Sequence, residues 1–171
     1  MKTLTVALII VALSLVLTGV LTSTDWPDVK NGSGLEWKSF DEGSLLAVQQ
    51  KKKLLVDVYT DWCSWCTKMD KDVYPNGNVR RFLESRFVVV KLDAESNKKL
   101  SYQGSTMSER EFARVVGVTG YPTTLFFDED MKPITFLPGY LKAETFVNIL
   151  TFVGENHYKN SSYNDYLKTL R

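Results

Sequence analysis

Two seven-residue apolar runs, LLVDVYT (54–60) and FVVVKLD (87–93), most constrain what this chain can fold into. Each is rich in β-formers and too short for a buried helix, so each reads as a central strand. The segment between them opens on Cys63 and Cys66 and reads as helix to about Val73, where Pro75 and the Asn76-Gly77 pair stop it. Asn78 then caps a short helix, VRRFLESR. Strand, helices and strand make a βαβ unit with two parallel strands. TTLFF (123–127), the turn DEDMK and ITFLP (134–138) read as a closing β-hairpin.

The remaining segments supply cover for such a sheet. Ser39 followed by Glu42 makes a capping box for a helix over 40–51, with Leu45, Leu46 and Val48 facing inward. Ser108 with Glu111 opens the helix EREFARVVG, and 143–153 is amphipathic. Residues 95–105 read as an irregular surface loop, and Ser162 caps a last short helix. The expected class is α/β: one central mixed sheet with helices on both faces.

The N-terminus differs in kind. Residues 3–21 are uncharged and mostly apolar behind the single Lys2, an export signal by composition and just long enough to span a bilayer. Residues 1–22 are expected to be a cleaved signal peptide or a retained N-terminal membrane anchor. Either outcome makes the protein periplasmic or otherwise extracytoplasmic, where disulfides persist. Residues 23–36 are polar, contain Pro and Gly, and read as a linker. The expected domain covers 37–155, with a helical tail over 156–171. Without the first 24 residues the chain carries 20 basic and 20 acidic residues, so nothing in its charge attracts nucleic acid. The run Lys51-Lys52-Lys53 reads as a solvated helix end.

The only two cysteines lie three residues apart in DWCSWC, just past the first strand. At i and i+3 of a helix start they share one face, within reach of a disulfide. Unpaired N–H groups and the helix dipole there favour a thiolate, the nucleophile of disulfide exchange. Cys63, nearer the exposed end, is expected to attack and Cys66, set deeper, to resolve. A purely structural bridge closes too short a loop to constrain the unfolded chain much. A metal site needs more ligands, and the one histidine, His157, sits in the polar tail. No metal and no cofactor are expected.

These residues resemble the thioredoxin family. LLVDVYTDWCSWC is similar to its active-site strand and helix start, with an acid in the strand and Trp-Cys-x-x-Cys after it. Lys91 in VVVKLD resembles the lysine of the next strand. VTGYPTTLFF resembles the segment with the family's cis-proline, here Pro122, and Gly139 resembles a glycine of the substrate groove. The likeness runs over about 37–153 and implies a thioredoxin fold. It also implies that Asp57, buried beneath the helix start with a raised pKa, takes the proton of Cys66 while Lys91 pairs with it. A cis bond after Tyr121 implies that its backbone faces an extended substrate segment beside the thiols. Trp62, Trp65 and Tyr121 then form an apolar rim.

The family resemblance and the export signal together imply an extracytoplasmic thiol–disulfide oxidoreductase that reduces protein disulfides. Its partners are a disulfide-containing protein and a membrane electron donor of the thiol:disulfide interchange type. The pair encloses Ser-Trp, where thioredoxins have Gly-Pro and strong oxidants Pro-His. With Asp57 and Asp61 nearby and Lys68 the only cation immediately following, a reducing to intermediate potential is expected. Two other readings stay open: a non-catalytic peptide-binding or chaperone-like module, and a dedicated reductant carrier for cytochrome maturation or sulfur oxidation.

Overall fold

The computed structural model describes residues 34–171, so the expected signal or anchor and most of the expected linker lie outside the described residues. In chain order the elements are α1 (Phe40–Gln50), β1 (Lys53–Tyr59), α2 (Ser64–Asp72), α3 (Gly77–Arg86), β2 (Phe87–Asp93), β3 (Lys99–Tyr102) and β4 (Ser105–Ser108). There follow α4 (Glu109–Val115), β5 (Thr123–Phe127), β6 (Pro133–Pro138), α5 (Ala143–Gly154), a 3-10 turn (His157–Lys159) and α6 (Tyr163–Thr169). Four strands form one mixed sheet in the order β2-β1-β5-β6. β1 and β2 run parallel, while β5 is antiparallel to both β1 and β6.

Both apolar runs form buried strands, but of the two only β1 is central. β2 ends the sheet, its outer side met among the described residues by the isolated bridge of Lys38 to Val90, and helices and loops rather than a further strand cover it. Val56 and Val58 face a core with Phe40 and Ala47 of α1, Phe112 of α4, and Leu100 and Tyr102 of β3. Leu55 faces the opposite core, with Met69 at α2, Val79 and Leu83 of α3, and Phe146 and Leu150 of α5. Side chains alternate along a strand, so Asp57 points to the Leu55 face, under α2. Its neighbours across the sheet are Lys91 on β2 and Thr124 on β5.

Several local expectations are corrected. Ser39 precedes α1 but makes no side-chain cap, and the helix buries Phe40, Gly43 and Ala47 while Leu45 and Val48 are exposed. Positions 40, 43 and 47 form a helical stripe, Leu46 packs partly buried beside it as expected, and 45 and 48 point away. Asn76, not Asn78, caps α3. The stretch expected as an irregular loop holds the β3–β4 hairpin, turned at Gln103 and Gly104 with positive φ. Lys53 is no solvated helix end: it opens β1, buried, with its ammonium 2.6 Å from Glu129 Oε1. At the end of the expected linker, Leu35 is already buried in the core. The Ser108–Glu111 capping box and the Ser162 cap form as read. Among the described residues, no helix is long and apolar enough to cross a membrane.

Candidate active site

The site is assembled where β1 ends and α2 begins. Cys63 N–H donates to Thr60 O at 3.1 Å, turning the chain out of the strand. Cys63 is the N-cap of α2, and its Sγ accepts from the Cys66 N–H at 3.0 Å. A sulfur thus stands where an N-cap oxygen commonly does, held against unpaired helix donors. Cys63 and Cys66 are joined as a disulfide with Cα atoms 5.2 Å apart. Both are nearly covered, Cys63 5% exposed and Cys66 3%. The expected contrast between an open and a deep sulfur is therefore slight in the oxidised form, because the capping turn folds Cys63 Sγ back over the helix start.

Two aromatic contacts tie this turn to its neighbours. Trp62, 68% exposed, meets Tyr121 edge-on with ring centroids 5.8 Å apart. Trp65, 55% exposed, lies 5.4 Å from the ring of Tyr140. The Tyr121–Pro122 bond is cis, and Gly139 N–H donates to Pro122 O at 2.7 Å. Gly139 has φ +88°, the left-handed region that glycine enters without cost. The expected rim residues therefore gather around the disulfide, but as two pairs. Trp65 partners Tyr140, which sequence reasoning missed although it directly follows Gly139.

Beneath α2, Asp57 is wholly buried, and Lys91 Nζ lies 2.5 Å from its Oδ2. The same ammonium lies 2.5 Å from Asp70 Oδ1 and within 4.9 to 5.2 Å of the ring centroids of Trp37, Tyr59 and Tyr74. Two carboxylates and three ring faces thus surround one cation. Burial pulls the Lys91 pKa down, but Asp57 and then Asp70 outweigh it and leave it above the ordinary lysine value. For Asp70, burial prevails over the attraction of Lys91 and raises its pKa. Asp70 was also missed, though its signal was available: it sits four residues after Cys66 on the same face of α2. Through Asp70, that face of α2 meets the Lys91 ammonium. Among the described residues, no group of three or more His, Cys, Asp or Glu side chains could hold a metal ion.

A family model for the thioredoxin-like domain matches residues 41–154 of this chain. The chain belongs to the thioredoxin-like family. Its mixed sheet with helices on both faces is the thioredoxin fold. This member is similar to the thiol:disulfide interchange protein DsbD of Actinobacillus pleuropneumoniae, 33% identical over 107 residues, 61% of this chain and 17% of that protein. It is also similar to the disulfide bond reductase DsbH of Chlamydia pneumoniae, 26% identical over 63% of this chain and 66% of that one. Among solved structures, a thioredoxin-fold protein from Helicobacter pylori aligns with TM-score 0.60 and 25% identity, over 71% of this chain and 81% of that one. The match thus spans 17% of the length of the DsbD relative.

Proposed function

We propose that this thioredoxin-like protein is an extracytoplasmic thiol–disulfide oxidoreductase that reduces protein disulfides through Cys63 and Cys66. The observation that carries the reading is the Cys63–Cys66 disulfide at the start of α2, with Cys63 Sγ accepting a helix N–H. The relatives' names, a thiol:disulfide interchange protein and a disulfide bond reductase, support the reaction class and its reductive direction. The uncharged, mostly apolar stretch 3–21 behind Lys2 supports a site outside the cytoplasm, secreted or membrane-anchored.

The cycle balances as follows. In the dithiol form, the Cys63 thiolate attacks a substrate disulfide, forms a mixed disulfide and expels one substrate thiolate. Cys66 then gives up its proton to Asp57 and attacks Cys63 Sγ. This restores the internal disulfide and releases the second substrate thiolate. Two electrons pass to the substrate. A membrane dithiol donor of the interchange type returns them by the same steps in reverse. Lys91 neutralises the buried Asp57 charge, and Asp70 shares that cation. Trp62 with Tyr121, and Trp65 with Tyr140, offer apolar faces to an extended substrate segment, which pairs with the backbone near Pro122 and Gly139.

Cys66→Ser removes only the resolving thiol. It is expected to accumulate a mixed disulfide through Cys63 with an added disulfide substrate such as insulin, visible by mass spectrometry. Absence of any such adduct in the folded variant would sink the exchange reading.

A further inference from the structure

The second oxygen of Asp57 is not accounted for by the machinery described so far. Lys91 holds Oδ2, while Oδ1 is buried and has no hydrogen-bond partner. Among the other buried oxygens in the same condition are Tyr74 Oη and Thr124 Oγ1, both on residues with no exposed surface. All three belong to one place. Thr124 is the direct neighbour of Asp57 across the β1–β5 ladder, so both side chains leave the same face of the sheet. The Tyr74 ring lies 5.2 Å from Lys91 Nζ, the atom that grips Asp57, and packs edge-on against Trp37 at 4.8 Å. Water does not reach these atoms, and an unpaired buried polar group is costly. The partners that remove this cost are one another.

The chemistry of the three groups decides who gives and who receives. A carboxylate beside an ammonium only accepts, whereas a phenol donates readily. Burial, and then the Asp57 charge, push the Tyr74 phenol well above its ordinary pKa, so its proton stays in place at any working pH. We propose that Tyr74 is a positioning residue of the site: its hydroxyl, with Thr124 beside it, donates to Asp57 Oδ1 and holds the carboxylate as acceptor of the Cys66 proton. This rests on the exchange reading above. Tyr74 lies just beyond α2, two residues after its last turn. The short segment 66–74 therefore holds both the resolving thiol and the donor that orients its proton acceptor.

The test reads the resolving step in the full chain, by stopped flow, as a preformed mixed disulfide on Cys63 collapses at different pH values. Tyr74→Phe keeps the ring and its contact with Lys91 and removes only the hydroxyl. The midpoint of the resolving rate against pH is expected to move to higher pH by about half to one unit. The first attack by Cys63 on substrate is expected to stay unchanged. In an Asp57→Asn background the same substitution is expected to add no shift. An unmoved midpoint in Tyr74→Phe, or a shift that survives in the Asp57→Asn background, overturns the proposal.

Should Tyr74→Phe fail to fold, the unaltered protein answers the question through a carbon-13 label on the hydroxyl-bearing ring carbon. Its Tyr74 resonance is expected to follow the resolving midpoint, and a flat resonance overturns the proposal. Asp57→Asn separates this inference from its foundation. If that variant keeps the wild-type profile, the proton-acceptor reading of Asp57 fails and Tyr74 loses its role with it. If Asp57→Asn moves the profile and Tyr74→Phe does not, only the Tyr74 assignment is lost.

Discussion

Lys91 carries more of this protein than one ion pair. Its side chain is 10% exposed, and its ammonium joins a strand acid, Asp57, to a helix acid, Asp70. Replacing it with Met keeps the bulk but leaves two carboxylates without their cation, one of them fully buried. Breaking a buried pair from one side is expensive, and Lys91→Met is expected to lose about 3 kcal/mol of stability. The pH dependence follows from the sign of the shift. A lysine whose folded pKa is raised above 10.5 contributes stability that is fully present below its unfolded value. That contribution is lost as pH rises through the folded value. Urea midpoints of wild type and Lys91→Met are therefore expected to differ most at about pH 8 and to draw together as pH rises through the folded lysine value. A gap that stays constant would contradict this account.

Among the elements, α1 shows how close packing overrides local preference. Gly43 sits inside the helix, where glycine is intrinsically poor. A Cβ built there would lie 2.2 Å from Val90 Cγ2 and 3.3 Å from Leu54 Cδ1. The missing side chain is what lets α1 settle on β1 and β2. Gly43→Ala raises helix propensity yet is expected to destabilise the fold by about 1 to 3 kcal/mol through overpacking. Chemical denaturation checks it, and a stabilised variant would refute the packing argument. The same contact explains why the helix turns Leu45 and Val48 outward. α2 is the sparser case: its N-cap is a cysteine, and it buries only Cys66 and Met69.

At the scale of the whole molecule, the C-terminal segment is an accessory to the fold. Tyr163 and Tyr166 each meet Phe152 of α5 at 5.3 Å, and His157 stacks on Tyr166 at 4.8 Å. These contacts dock the tail on α5, and none of them involves a residue of the cysteine turn. Deleting 156–171 is expected to lower the melting midpoint by about 5 °C while insulin reduction continues. An unchanged midpoint would show that the docked tail contributes nothing to stability. The amino-acid sequence alone determined what depends on neighbours along the chain: the strands at 54–60 and 87–93, the helix that starts at the cysteines, the closing hairpin, and the Ser108 and Ser162 caps. Residue type and spacing pointed to Cys63 and Cys66, and the family resemblance to Asp57, Lys91 and Pro122. Only the tertiary structure decided which side of α1 is buried, that 99–108 folds as a hairpin, that Trp65 turns to Tyr140, and that Asp70 and Tyr74 join the Asp57 cluster. The physical reason is range. Turn, cap and periodicity signals act over a few residues, whereas Lys91 meets Asp70 and Asp57 across gaps of 21 and 34 residues that close only when the helix packs on the sheet.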